Sequence, residues 1–343
     1  MTNTNYWGLT VLDIAIVVIY FIVIVIIAIR AARLVKSRDD YFMAGRRFGK
    51  LIQTFAAFGQ ATSVENVTTT TTMVNSNGAS GIWAMLAGGL VNLPVFWMTS
   101  IWYRRLRMLT LGDFFEERYG SKRMAAFYAL CQTIFFVLIA AIGLVAMSKT
   151  VSAIAAKPVS ELNQVERVEY NKALEREKLE TADFELLSAV QQKRLVKLQE
   201  LNPKKEYSYV NENMLIILVA FITLLYASIG GLAAAFMVDL IQGMFIILLS
   251  ILLIPFAIAK INLQFGSQGA LGAFETMHKV FPASFMEIWG SPSLIEFSWY
   301  WILGFSVMIV ITTAVQANQM TACGSAKNDY TARYGFVSGM LLK

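Results

Sequence analysis

An all-α integral membrane bundle is the fold class this sequence predicts, and three observations predict it. Charged residues fill only 15% of the 343 positions against 57% apolar ones, and the mean hydropathy is +0.56; a soluble chain carries about a quarter charged residues. The apolar residues are bunched. Residues 11–29 are broken only by Asp13, and 243–259 hold Ser250 as their single polar member; such runs match the ~20 residues that cross ~30 Å of hydrocarbon. Lysine and arginine collect at the ends of these runs, the bias of chains that thread a bilayer.

Spans are expected in order at about 9–30, 50–74, 80–103, 124–152, 213–230, 233–259 and 297–322, with an eighth beginning near Tyr334. The first has no basic residue ahead of it and is too long for a signal core, so it reads as a retained span. The link behind it holds Arg30, Arg33, Lys36, Arg38, Arg46, Arg47 and Lys50. The link after the third span holds Arg104, Arg105, Arg107, Arg118, Lys122 and Arg123, whereas 75–79 between them carries no charge. Both basic links are therefore expected in the cytoplasm, with the N-terminus outside, in a multi-pass protein of the cell membrane. The same bias accounts for the net charge of +6 and leaves no case for nucleic-acid binding. Cys131 and Cys323 have no metal spacing, and the single histidine, His278, sits in a polar connection, so no metal site is expected.

Residues 155–211 break the pattern with ten acidic and ten basic residues and little hydrophobicity. Pro158 opens the stretch, Ser160 is the expected cap, and Asn202-Pro203 closes it. Two helices at about 160–180 and 182–201 would form an extramembrane hairpin on the outer face. Leu187, Val190, Leu195 and Leu198 give a partial apolar stripe. A solvated helical insertion is the plain reading; a docking surface for an extracytoplasmic partner is the sharper one. The chain thus divides into an extra first span (1–34), core spans two to four (35–152), the insertion (153–212), and core spans five to seven with the start of an eighth (213–343).

Polar groups inside spans point to function, because a charge at mid-helix costs about 2.5–3.5 kcal/mol and seeks a cavity or a partner. Glu65 and Asp239 qualify. The second span is rich in threonine and carries Gly59, Gln60, Glu65 and Asn66, a composition that propagates a helix poorly. Two readings stay open there: a broken helix whose carbonyls ligate a cation, or a polar packed helix with threonine hydroxyls bonded to their own turn. Asp239, Gln242 and Gly243 share one face of the sixth span by their i, i+3, i+4 spacing; an Asp239 paired with a basic neighbour is the structural alternative.

Three stretches together resemble the sodium:solute symporter family. They are Tyr226-Ala-Ser-Ile-Gly-Gly-Leu-Ala-Ala-Ala-Phe-Met-Val-Asp-Leu-Ile-Gln, Thr110-Leu-Gly-Asp-Phe-Phe-Glu-Glu-Arg-Tyr-Gly, and Asp40-Tyr-Phe-Met-Ala-Gly-Arg-Arg-Phe-Gly. The resemblance implies the LeuT-type fold, two five-helix repeats inverted about the membrane plane, truncated here after the first core helix of the second repeat. It implies sodium as coupling ion, held by backbone carbonyls at Gly59 and Thr62, with Asp239 on the ion's route inward. It places solute contacts at Glu65 and Asn66, and in the seventh span at Gln316 and Asn318. That last stretch departs from the family, with Ala322 where arginine is common, and marks a divergent branch. Hydroxyls from a later helix, which complete the family's sodium site, lie outside these 343 residues, so this stretch alone is not expected to transport.

The expected function is sodium-coupled uptake of a small solute across the lipid bilayer. The rival is a symporter-like sensor domain of a signalling protein. An enzyme is not expected, and no catalytic residue is assigned, because the spans hold no histidine, paired carboxylates or nucleophile–base set.

Overall fold

A computed structural model of the chain describes residues 9–180, 188–290 and 297–343. The described residues are helical, with no strand beyond two isolated bridges. Three helices are long and apolar enough to cross a membrane: α1 (Val11–Ala32), α8 (Lys122–Ile154) and α11 (Glu212–Phe265). Most of their apolar side chains are exposed, as at Leu12, Phe127 and Leu253, apart from a few such as Ala28 of α1 and Phe236 of α11 that are buried. A surface of that kind is stable against lipid and not against water. Within α11 the axis is interrupted at Gly231 (φ 57°), as the expected boundary between the fifth and sixth spans requires. A Cβ at Gly231 would lie 2.6 Å from the Tyr41 carbonyl, so glycine meets both the dihedral and the space.

The other spans depart from uniform helices. The second is two helices, α3 (Lys50–Ala61) and α4 (Val64–Asn77), each too short to cross ~30 Å alone. The third span begins as a short 3₁₀ stretch (Gly78–Ile82), passes through α5 (Trp83–Leu86) and a π turn (Ala87–Val91), and bends 42° before α6 (Leu93–Leu106). Pro94 explains the bend, since it has no N–H to offer the preceding turn. Asn92 compensates: its backbone N–H bonds the Leu90 carbonyl and its side-chain amide bonds that of Gly88 at 3.3 Å. The seventh span, expected continuous over 297–322, is instead α13 (Trp299–Ala314) and α14 (Ala317–Gly324), bent by 57°. The expected start near Tyr334 is corrected to α15 (Asp329–Leu341), capped by Asn328, whose Oδ1 accepts from the Thr331 N–H at 2.8 Å. Short helices α2 (Arg38–Met43), α7 (Leu111–Tyr119) and α12 (Gly269–Val280) fill links in which no helix is expected.

The chain divides into two compact units, Met1–Ile22 with Leu144–Ile222, and Val23–Gly143 with Thr223–Lys343. In the first, the charged insertion forms α9 (Gln164–Glu180) and α10 (Ala189–Leu201). Ser160 lies in a 3₁₀ turn, not at the cap. Asn163 takes that role, in a reciprocal pair with Glu166 at 2.8 and 3.0 Å; a capping box binds two orphan N–H groups where Ser160 would bind one. The helix ends at Asn202 in the left-handed conformation, as Asn-Pro leads one to expect. Leu195 and Leu198 are buried while Val190 is exposed; Leu187 and the start expected at 182 lie outside the described residues. Arg194 clasps Glu175 with two bonds of 2.9 Å, and Lys205 meets Glu177 at 2.7 Å.

The second unit is built on small residues. Its core includes Ala28, Ala31, Ala56, Ala57, Ala233 and Ala234 beside Phe48, Phe96, Phe236 and Phe336. Helices in lipid gain nothing from excluding water from each other, so close backbone approach must supply the attraction. Gly335 and Gly339 of α15 give it on α3: a Cβ at the first would lie 2.4 Å from Gln53 Cβ, and at the second 2.5 Å from the Thr54 carbonyl. Thr54 and Ser338 hydroxyls join the same contact at 2.7 Å.

Candidate functional site

The site grows from the failure of one helix to continue. At Thr62 the backbone turns extended (φ −122°, ψ 118°), Ser63 follows (φ −146°, ψ 163°), and α4 restarts at Val64. The expected break and the expected back-bonding of threonine hydroxyls are both present, each in its own half of the span, although α4 buries none of its residues and is not the packed helix of the second reading. The break exists, and beyond it Thr68, Thr71 and Thr72 bond their hydroxyls to carbonyls one turn back, at 2.9–3.1 Å.

A break leaves carbonyls without helical partners, and nearby donors take up two of them. Asn66 donates its amide to the Ala61 carbonyl at 3.2 Å and to Ser63 Oγ at 2.9 Å. Ser63 donates to Glu65 Oε1 at 2.5 Å. Thr62 N–H reaches the Gly59 carbonyl at 3.3 Å. Thr62 Oγ1 and Gln60 Oε1 remain buried with no hydrogen-bond partner.

Asp239 comes to this break from α11. A Cβ placed on Gly59 would lie 3.0 Å from Asp239 Cβ and Cγ and 3.2 Å from Oδ1. One turn further along α11 and one turn back along α3, a Cβ on Gly243 would sit 2.6 Å from the Phe55 ring. Asp239 and Gly243 thus face one helix, as their spacing predicts. The alternative of an ion pair fails: none of the described ion pairs or hydrogen bonds engages the Asp239 carboxylate. Glu65 turns its other oxygen toward α8, 3.2 Å from where a Cβ on Gly143 would be.

Gln316 and Asn318 lie at the second break. Val315 and Gln316 leave helical geometry, and Gln316 stands at the N-cap position of α14 without a side-chain capping bond. Two tyrosines that the sequence reading passed over take up the carbonyls freed there: Tyr103 bonds that of Ala314 and Tyr128 that of Val315, the latter at 2.8 Å. Asn318 Oδ1 is buried without a partner. The structure therefore brings Gly59 and Asp239 together and sets Thr62, Glu65 and Asn66 around one break. Gln316 and Asn318 stand at another, and no described hydrogen bond joins the two sets. Among the described residues no three His, Cys, Asp or Glu side chains cluster as metal ligands.

No family model matches the chain. Over 286 residues it is 21% identical to the sodium/sialic acid symporter NanT of Aliivibrio fischeri (strain ATCC 700601 / ES114), an alignment that covers 82% of this chain and 43% of that protein. The chain therefore spans less than half the length of the relative it matches, and the similarity is to a membrane transporter and not to an enzyme.

Proposed function

We propose that this chain serves sodium-coupled uptake of a small solute, with the α3–α4 break as the point of coupling. The observation that carries the reading is Asp239, an acidic side chain on an apolar helix with no basic partner, packed on Gly59 of the helix end where Gln60 and Thr62 hold buried, unpartnered oxygens. Buried acids of this kind persist in membranes where an ion or proton completes them. The donors are all oxygen, which suits a hard cation. Their charge is one carboxylate, which one monovalent cation balances. In this reading the carbonyls of Gly59 and Thr62, with the Asp239 carboxylate as counter-charge, would hold sodium; the similarity to a sodium symporter favours that ion over others.

Glu65, Asn66, Gln316 and Asn318 would face the solute. Glu65 keeps an oxygen beyond its Ser63 bond, and Asn318 keeps a buried acceptor, so a molecule rich in hydroxyl or amine donors fits. Two interrupted spans, one opening each proposed repeat, support the inverted-repeat architecture. Coupling then follows from linkage: an ion that stabilises one state of the break raises solute affinity by the same factor that the solute raises ion affinity. Uptake of radiolabelled sialic acid, and of a panel of sugars and amino acids, into proteoliposomes of the full-length protein tests the reading. A sodium gradient should drive accumulation that potassium does not; uptake indifferent to both would reject it.

A further inference from the structure

Away from the helix breaks, four cationic side chains converge on one open cavity of about 540 Å³, lined by Arg104, Arg105, Arg107, Lys327, Asn328, Asp329 and Tyr330. It lies between the end of α6 and the start of α15, and its parts are fixed from both sides. Arg104 is buried, and its Nε and Nη2 donate to the carbonyls of Ala326 and Lys327 at 2.6 and 3.3 Å. The Lys327 backbone is tied by its own N–H to the Phe48 carbonyl at 3.0 Å. Arg107 stands in the left-handed conformation (φ 53°), with its carbonyl accepting from Arg46 Nη2 at 3.1 Å.

Among the residues that line the cavity, Asp329 is the only carboxylate. Asp329 is engaged by Arg105 at 2.8 Å, whereas the Arg107 guanidinium and the Lys327 ammonium have no hydrogen-bond or ion-pair partner among the described residues. Basic residues that merely orient a membrane chain need only lie near span ends. Here they line a single concavity with a fixed backbone, and the lining keeps a net charge of about plus three once Asp329 is counted.

We propose that this cavity is a binding site for a phosphate group, carried either by an anionic phospholipid headgroup or by a soluble phosphate. Guanidinium forks match phosphate oxygens in pairs, and a multiply charged anion offsets several cations at once. Basic pockets between membrane helices take lipid headgroups on the same principle. The inference is independent of sodium coupling, since no transport enters its test.

The test uses the full-length protein and the double variant Arg107→Gln/Lys327→Gln, with Lys327→Gln alone in reserve because Lys327 is exposed and bears no packing. Native mass spectrometry measures retention of phosphatidylglycerol against phosphatidylcholine. Thermal unfolding in detergent measures protection by inorganic phosphate against chloride at equal ionic strength. The double variant should bind the phosphate group about thirtyfold more weakly, roughly fivefold per charge. Selective retention of phosphatidylglycerol that the variant loses assigns the headgroup; protection by inorganic phosphate that the variant loses assigns the soluble anion. Binding of neither probe, or binding of both proteins alike, overturns the proposal.

Discussion

Gly59 lies in the last turn of α3 and Thr62 at its C-terminal cap, yet the two should respond oppositely to substitution, because one contributes space and the other a main-chain atom. A valine at position 59 would drive its Cβ to within 3.0 Å of the Asp239 side chain, and its branching narrows the dihedrals beside the break. Gly59→Val should therefore abolish sodium-driven uptake, while Thr62→Ala keeps the carbonyl and should shift sodium dependence by less than about 0.5 kcal/mol. Sodium titrations of uptake for both variants check the pair; equal damage would mean that the carbonyls are not the ligands. Asp239→Asn removes the only described carboxylate packed on Gly59. It should raise the sodium concentration for half-maximal uptake about tenfold, roughly 1.4 kcal/mol, and an unchanged value would return Asp239 to a structural role. At this scale the sequence was informative where chemistry is local. The helix face shared by Asp239 and Gly243 and the weakness of the threonine-rich span both follow from spacing and composition. The hydroxyls of Tyr103 and Tyr128 on the carbonyls of Ala314 and Val315 could not be read, because nothing near either tyrosine signals a partner some two hundred positions away.

Elements pack here through small residues, and their stability should depend on them. Gly335 and Gly339 stand one turn apart on α15, against Gln53, Thr54 and Ala57 of α3. That spacing is visible in the sequence, but its partner is not, since the motif says only that some backbone comes close. Gly339→Leu must displace the Thr54 carbonyl and the Ala57 methyl, so it should cost about 1–3 kcal/mol by overpacking and lower the unfolding midpoint in detergent. An unchanged midpoint would show that α15 is not held on α3. The hairpin offers a different handle. Lys157 bonds Glu166 Oε1 at 2.8 Å; that bond, reinforced by the Asn163 N–H, holds the Glu166 carboxyl below its ordinary 4.5. A carboxyl depressed in the folded state stabilises it above its unfolded value, and that contribution is lost as pH falls through the folded one. Limited proteolysis of the hairpin should accelerate as pH drops below 4.5, and Lys157→Met should flatten that dependence. The break in the seventh span escaped sequence reasoning because Val315-Gln316 contains no glycine or proline. Tertiary hydroxyl donors, not local propensity, make it tolerable.

For the molecule as a whole, the bilayer makes placement of long helices legible, since it demands a fixed length of apolar chain and tolerates few charges. Residues 11–29 and 124–152 could be read on that ground alone, and α1 and α8 follow them closely. Links obey no such rule: α12 rests on twelve residues, Gly269–Val280, whose pattern is too short and too polar to announce itself. Orientation across the membrane depends on charge alone, and it is the property most open to direct test. The basic residues of 30–50 and 104–123 should hold those links in the cytoplasm, which places the helical hairpin outside, because one span separates it from Lys122. In a background lacking Cys131, which is exposed, and with Cys323 buried, a cysteine replacing exposed Lys193 should react with a membrane-impermeant maleimide in intact cells. One replacing Lys122, whose side chain is 89% exposed, should react only after the membrane is opened. Labelling of Lys122→Cys but not Lys193→Cys in intact cells would invert the topology and move the arginine-lined cavity to the outer surface. Labelling of both would place the hairpin and Lys122 on one side, so that α8 does not cross.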